Sequence, residues 1–177
     1  MRNVIFLILI SCATGYYAKG SVVKIDKTKN YKIAIIPQLK SNYLNEDDLR
    51  KIYNAYYLEF SSIKNFTIVE REKIEEIIKE LNFQYSGLAD VNNAKEFGKL
   101  AGADLVATYE VISASEKMDD FLKEIVRELV ISIKIIDIQT GEVLYVGRGR
   151  EEGFSDKLDI IEGAVSNSIH ALKLSLK

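Results

Sequence analysis

Short apolar runs alternate along this chain with segments of helical periodicity. The order of these segments restricts the folds that the chain can adopt. Residues 32–37 and 66–69 are brief runs rich in Ile and Val, which is typical of buried strands. Apolar residues recur at steps of three and four in the segments that follow, which predicts helices there. With the later segments, the predicted order is β-α-β-α-α-β-β-β-α, over residues 32–37, 46–63, 66–69, 71–82, 92–101, 104–113, 126–138, 142–148 and 157–176.

This order predicts the α/β class and a mixed sheet. Strands separated by helices pair in parallel, whereas the two strands joined by Gln139-Thr140-Gly141 form an antiparallel hairpin. Strands that are apolar on both faces indicate helices on both sides of the sheet. We therefore expect a single domain with a mixed β-sheet of about five strands flanked by helices, with parallel early strands and a C-terminal antiparallel hairpin.

The start of the chain has the pattern of a bacterial lipoprotein signal. Arg2 precedes the apolar run 4–10, and Leu9-Ile10-Ser11-Cys12 fits the lipobox, in which the cysteine receives diacylglycerol and becomes the mature N-terminus. The run is shorter than the roughly 18 residues that a spanning helix needs. We therefore expect lipidation at Cys12 and attachment to a membrane by acyl chains, two or more of which hold a protein durably.

Residues 4–10 could instead be the first core strand or helix of a cytosolic protein. Against this, the run has no period of 2 or 3.6, and so has no polar face to turn to solvent. Residues 13–30 show little periodicity and contain Gly15 and Gly20, which is typical of a flexible tether. The predicted organisation is a signal peptide at 1–11, a lipidated tether at 12–30 and an α/β domain at 31–177.

Composition argues against several classes of function. The sequence has 24 basic and 26 acidic residues, without the basic excess of a nucleic-acid-binding domain. One cysteine and one histidine, His170, cannot form the ligand set of a zinc site. The motifs HExxH, CxxC and GxxxxGK[ST] are missing from the sequence, and no Ser/His/Asp set can be assembled. We expect no catalytic residues, no cofactor and no metal.

Two further segments invite a functional interpretation. The glycines and arginines of residues 147–153 could cradle a phosphate, but the next helix begins near Lys157, beyond two glutamates that would repel an anion. The alternative is a strand end followed by a bend. Asp119 and Asp120 could hold a hard cation, or could lie in a solvated connection over residues 115–123.

Three stretches of the sequence together resemble one family of envelope proteins. Residues 66–74 combine a strand, Val69-Glu70-Arg71 and the start of a helix. Residues 94–106 contain a helix, then Gly102-Ala103-Asp104 and an apolar strand, and residues 135–144 contain Asp137 followed by Thr140-Gly141-Glu142-Val143. With the lipobox, the chain resembles the family of the curli secretion lipoprotein CsgG, with the related peptidoglycan-synthase activator LpoB and TolB N-terminal-like domains.

The resemblance implies an α/β envelope domain with a lipidated N-terminus and no catalytic residues. The curli protein inserts long amphipathic hairpins that form an outer-membrane pore. Here the connection after Ser113 is short and charged, and the chain after Gly149 soon enters the last helix, so we expect no pore-forming hairpins. The residues that the resemblance marks as structural motif are Glu70, Arg71, Gly102, Asp104, Thr140, Gly141 and Glu142.

The sequence therefore predicts a non-catalytic, lipid-anchored lipoprotein of the cell envelope that binds another envelope protein or itself. Ala13, and not an aspartate, follows Cys12, which favours the outer membrane, facing the periplasm. One alternative is an LpoB-like activator of a peptidoglycan synthase, although a tether of about 18 residues spans only a few nanometres. The other is a small nucleotide-binding enzyme built around residues 147–153.

Overall fold

A computed structural model describes residues 17–22, 25–80 and 91–177 of the chain. In these ranges six strands and four helices follow one another. Their bounds are β1 Tyr17–Val22, β2 Tyr31–Ile36, α1 Glu46–Ser61, β3 Phe66–Ile68, α2 Arg71–Glu80, α3 Val91–Ala101, β4 Leu105–Met118, β5 Ile125–Asp137, β6 Val143–Gly153 and α4 Lys157–Leu176.

The described strands form one mixed sheet in the order β1-β6-β5-β4-β2-β3. Strands β3, β2 and β4 are parallel neighbours, whereas β4, β5, β6 and β1 pair antiparallel. The helices α1, α2 and α3 connect the parallel strands, as parallel pairing requires. The predicted α/β class, with parallel early strands and a late antiparallel hairpin, is confirmed.

Helices lie on both faces of the sheet and give it two cores. On one face α1 and α4 pack over strand residues such as Ile33 and Ile133, and α1 contributes Tyr56; all three are fully buried. On the other face α2 and α3 bury a smaller cluster that includes Ile36 and Phe97. The second cluster covers only part of the sheet, namely β2, the start of β4 and the end of β5.

The two helices of the larger core begin at side-chain caps. Asn45 precedes α1, and its Oδ1 accepts a hydrogen bond from the backbone N–H of Asp48 at 2.9 Å. Asp156 precedes α4, and its Oδ1 accepts hydrogen bonds from the backbone N–H groups of Leu158 and Asp159 at 2.8 and 3.0 Å. These bonds satisfy backbone donors that the first turn of a helix leaves free.

One strand lies within the segment that the sequence predicts as a flexible tether. Strand β1 pairs antiparallel with β6, from Tyr17 beside Arg150 to Val22 beside Tyr145. A flexible tether over the whole of residues 12–30 is therefore wrong for residues 17–22. The strand was missed because backbone pairing along a sheet edge does not require an apolar period in the side chains. Cys12 and the predicted signal lie outside the described residues, so the boundaries of signal and tether stay predictions.

The solvated connection predicted over residues 115–123 is also replaced in part by a strand. Strand β4 continues to Met118 and pairs with β5 as far as Ile125, so that only a tight turn separates the two strands. The charges that suggested a solvated loop lie opposite each other: Arg127 Nε is 3.3 Å from Glu116 Oε1. That no pore-forming hairpin is present stays a prediction.

None of the helices in the described ranges is both long enough and apolar enough to cross a membrane. In the same ranges no group of three or more His, Cys, Asp or Glu residues is arranged to hold a metal ion. Asp119, which the sequence offered as a cation ligand, instead accepts hydrogen bonds at Oδ1 from the backbone N–H groups of Phe121 and Leu122.

Candidate protein-binding face

The second face of the sheet is left open where α2 and α3 end. Side chains alternate along the central strands: Ile131 and Ile133 are fully buried under α1 and α4, whereas Lys134 points to the opposite side and is exposed. Neighbours in register continue this surface across three strands. We call it the open face, and it comprises Thr108, Glu110, Val130, Ser132, Lys134, Val146, Arg148 and Arg150.

The open face carries two cations without an ion-pair partner. Lys134 lies beside Val146 in the register, and Arg148 lies beside Ser132, so the two cations occupy diagonal positions on β5 and β6. Such positions are about 7–8 Å apart at the backbone. Among the described residues neither forms a salt bridge. Glu110 lies beside Ser132 in the register, so one carboxylate accompanies these two cations and the local charge stays positive, which favours an acidic partner surface.

Arg150, the third cation of the open face, differs because it forms ion pairs. Arg150 Nε donates to Glu128 Oε1 at 3.0 Å, and its NH2 group donates to Glu152 Oε2 at 2.6 Å. The hydrogen bond to Glu128 and its charge raise the pKa of the Arg150 guanidinium. Of the cations of the open face, Lys134 and Arg148 are therefore the two that form no ion pair among the described residues.

Helix α4 fixes the strands of this face from behind. A Cβ atom on Gly147 would lie 1.9 Å from the backbone oxygen of Ser168, and one on Gly149 would lie 2.0 Å from that of Ala164. The glycines therefore permit the helix backbone to lie directly on β6. Tyr145 Oη also donates to the Ser168 oxygen, at 2.6 Å.

This geometry corrects the phosphate-loop interpretation of residues 147–153. These residues form the interior and end of β6, which pairs with β1 on one side and β5 on the other. The backbone of Gly147 and Gly149 is covered by α4, so it cannot approach an anion. The strand-end interpretation is nearer to the structure, although no bend occurs before Gly153.

Of the motif residues, Glu70 and Arg71 lie at the carboxyl end of β3. Arg71 is the first residue of α2, its Nε donates to Glu75 Oε1 at 2.8 Å, and its guanidinium carbon lies 5.2 Å from the ring centre of Tyr53. These contacts join α2 to α1 beside a cleft of about 570 Å³ that Pro37 also lines. Burial raises the pKa of the Tyr53 hydroxyl to about 12.

Gly102 and Asp104 lie at the opposite end of the sheet. Gly102 has φ +61°, and its N–H donates to the Lys99 oxygen while the Ala103 N–H donates to the Gly98 oxygen, both at 3.0 Å. This pattern is a Schellman motif that ends α3. Asp104 Oδ2 accepts from the backbone N–H of Lys32 at 2.8 Å, which joins the starts of β2 and β4.

Thr140, Gly141 and Glu142 form the turn between β5 and β6. The organising side chain is Asp137, whose Oδ1 accepts from the N–H and the hydroxyl of Thr140 at 2.8 and 3.1 Å. Gly141 has φ +78°, a conformation that favours glycine. The turn lies near Asp104, whose oxygen accepts from the Ile138 N–H at 3.1 Å. The structure thus places the motif residues at two ends of the sheet and does not bring them into one site.

The open face was missed by the sequence analysis, which expected helices over both faces. A signal was available, because the positions of β5 and β6 on this side include Ser132, Lys134 and Arg148, while those on the other side are mostly Ile and Gly. Alternating polar residues indicate a strand with one solvated face. The high Ile content of residues 131–136 hid that alternation.

The comparisons with known proteins identify relatives in sequence and in fold. A family model described as peptidoglycan-synthase activator LpoB matches residues 13–150. No curated protein matches the sequence. The match supports the LpoB part of the resemblance, whereas nothing in these comparisons supports the CsgG part.

Two solved structures share the fold. The lipoprotein GNA1162 from Neisseria meningitidis is 15% identical with TM-score 0.58, covering 80% of this chain and 96% of that one. The PelC dodecamer from Paraburkholderia phytofirmans is 12% identical with TM-score 0.55, covering 89% of this chain and 97% of that one. At such identities the likeness concerns the fold alone.

Proposed function

Because the chain belongs to the family of the peptidoglycan-synthase activator LpoB, we propose that it activates a peptidoglycan synthase by binding it in the cell envelope. The observation that carries this proposal is the family match, which extends from residue 13, next to the predicted lipidation site, to Arg150 on the open face. The protein itself is non-catalytic, and it is held by acyl chains on Cys12 to the outer membrane, on the periplasmic side.

The open face supplies the contact surface in this proposal. Lys134 and Arg148 are exposed and without ion pairs among the described residues, and the nearby Val146 and Val130 provide apolar area on the same face. A mixture of exposed apolar area and unpaired charge is typical of a non-obligate protein interface. The matching surface on the synthase therefore carries carboxylates.

The test is stimulation of glycan polymerisation by peptidoglycan synthases purified from the same cell. Wild-type protein is expected to raise the polymerisation rate of the synthase that in-cell crosslinking captures with it. Arg148→Glu replaces a cation by an anion and should reduce affinity for that synthase roughly tenfold or more. Lys64→Glu makes the same charge change at an exposed position after α1, outside the open face, and should have little effect.

Failure of the wild-type protein to stimulate any of the cell's synthases would remove the proposed function. Equal effects of Arg148→Glu and Lys64→Glu would leave the function but place the contact elsewhere than the open face.

Self-association is a second candidate, favoured by one observation. Strand β1 lies at an edge of the described sheet and pairs only with β6. Edge strands present unpaired backbone groups to which another chain can add. Sedimentation analysis of the purified protein tests this: a monomer at micromolar concentration excludes self-association as the main activity.

A further inference from the structure

The turn between β4 and β5 displays apolar side chains to solvent. Phe121 is 92% exposed, and Met118, Leu122 and Ile125 are 58%, 51% and 38% exposed. Phe154, 40% exposed, follows Gly153, which lies beside Arg127 in the register, so it belongs to the same end of the sheet. We call these five residues the tip patch.

The turn holds its apolar side chains outward through an ordered backbone. Asp119 Oδ1 accepts from the N–H groups of Phe121 and Leu122 at 3.0 and 2.7 Å. The Asp119 N–H donates to the Glu124 oxygen and the Lys123 N–H to the Asp119 oxygen, at 2.8 and 2.9 Å. Turn residues are normally polar. A well-bonded turn that presents Phe and Leu to solvent is therefore built for an apolar contact.

The N-terminal segment leaves the sheet at this same end. Tyr17 lies beside Arg150, Arg150 lies beside Val130, and Val130 lies beside Ser113. From that level β4 runs on for five more residues to Met118, which is about 17 Å at 3.4 Å per residue. The hairpin therefore extends beyond the point where the described chain begins.

The maximum length of the segment between Cys12 and Tyr17 equals the distance by which β4 extends beyond Ser113. Five residue steps span at most about 17 Å, even when fully extended. An acylated Cys12 therefore cannot lie farther from the body of the sheet, along the strands, than the end of β4. When the strands stand upright on the bilayer that holds Cys12, the turn at 119–124 reaches that bilayer too.

We propose that the tip patch inserts into the phospholipid bilayer that carries the lipid anchor, as a second contact beside Cys12. The proposal rests on the lipid anchor of the proposed function. Aromatic and aliphatic side chains at the level of the headgroups gain from burial, and two weak attachments act together once one is made. Because Asp119, Asp120 and Glu124 outnumber the two nearby lysines, the contact is apolar and does not require anionic lipid.

The experiment labels the tip in the full lipoprotein. Cys12 is the chain's only cysteine, and lipidation consumes its thiol, so Leu122→Cys introduces the single reactive thiol. The protein is reconstituted into phosphatidylethanolamine–phosphatidylcholine vesicles and labelled with a polarity-sensitive nitrobenzoxadiazole probe. The matched control is Leu100→Cys, which is 46% exposed against 51% for Leu122 and lies on α3 at the opposite end of the sheet.

At Leu122 we expect a blue-shifted emission and strong quenching by lipids that carry a nitroxide on the acyl chain. At Leu100 we expect neither. No shift and no quenching at Leu122, or equal quenching at both positions, would overturn the proposal. A blue shift without nitroxide quenching would also overturn it, because it would show that a second copy or another protein covers the tip.

The result is separable from the proposed activity. Wild-type protein that does not float with the vesicles would overturn the anchor and the tip contact together. Protein that floats and is quenched at Leu122, but stimulates no synthase, would overturn the activator function and leave the tip contact standing.

Discussion

At the scale of single residues, the described glycines that neighbouring backbone approaches most closely lie where α4 crosses β6. The Cβ that alanine would add to Gly149 falls 2.0 Å from the Ala164 oxygen and 2.5 Å from the Ser168 nitrogen. Both are backbone atoms, which cannot rotate away as a flexible side chain could. The strand therefore accepts only glycine there.

We predict that Gly149→Ala lowers the free energy of unfolding by about 3 kcal/mol, because α4 must move off the sheet. Gly163→Ala is the matched control on α4: the atoms nearest to its Cβ all belong to the flexible side chain of Glu151, and alanine favours helix by about 1 kcal/mol. Urea denaturation of both variants measures the difference. Equal stability of the two would show that α4 does not rest on β6 as described.

A second residue-scale prediction concerns Tyr53. Its hydroxyl oxygen is buried and has no hydrogen-bond partner among the described residues. Tyr53→Phe keeps the ring beneath the Arg71 guanidinium and removes the unpaired oxygen, so the free energy of unfolding should rise by up to about 1 kcal/mol. Thermal and urea unfolding check this, and a loss of stability would indicate that the hydroxyl is hydrogen-bonded in solution.

At the scale of elements, the contact between α1 and α4 depends on a buried carboxylate. Asp48 is 3% exposed, and its Oδ2 accepts from Lys157 Nζ at 3.1 Å. Lys157 Nζ is also 3.5 Å from Glu116 Oε1 on β4. One cation thus ties the two helices to the long hairpin near its β4–β5 turn.

We predict that Asp48→Asn destabilises the fold by about 2 kcal/mol, because Lys157 loses its charged acceptor inside the interface. Asp47→Asn is the control: Asp47 is exposed and pairs only with neighbours on its own helix, Arg50 and Lys51, so little change is expected. Chemical denaturation compares the two. An equal effect of both changes would contradict the role given to Asp48.

Sequence patterns predicted some elements well and others poorly, for physical reasons. Helix α4 was predicted with the bounds that the structure gives it, because twenty residues with a regular apolar stripe admit one interpretation. Strand β1 and the end of β4 were missed, since edge pairing and cross-strand ion pairs leave no apolar period in the sequence. The Gly102 and Gly141 positions were identifiable because only a left-handed backbone explains glycine there.

At the scale of the whole molecule, burial of four tyrosines links stability to pH. Burial raises the pKa of Tyr53 and of Tyr145 to about 12, and it also raises the pKa values of Tyr56 and Tyr109. In the unfolded chain tyrosine ionises near pH 10. The unfolded state therefore releases protons first as pH rises, and the folded state holds them.

This order of ionisation determines the direction in which stability changes with pH. Stability should be unaffected by these groups below about pH 10, and should fall steadily between about pH 10 and pH 12. The melting temperature measured across that range checks this, together with tyrosinate absorbance, which should lag in the folded protein. A melting temperature that does not fall above pH 10 would contradict the burial of these hydroxyls.

The candidate interface belongs to this largest scale: the polar positions of β5 and β6 were visible in the sequence, but the extent of the face was not. The open face exists because α2 and α3 end near β2 while β4, β5 and β6 continue past them. No local sequence pattern indicates how many neighbouring strands a helix will cover once it packs on the sheet. Sequence gave the family resemblance and the lipobox at Cys12, and the structure gave the face and the hairpin tip.

The pairing of β1 with β6 also decides how the protein would bear mechanical load. If Cys12 carries the proposed lipid anchor, a pull on it enters the described chain at Tyr17 and runs along the strand axis, toward the end where the long hairpin projects. The inter-strand hydrogen bonds lie perpendicular to that direction. These bonds would therefore be loaded together, in shear, and would not break one after another. The folded body would stay attached to its anchor while the membrane around it moves.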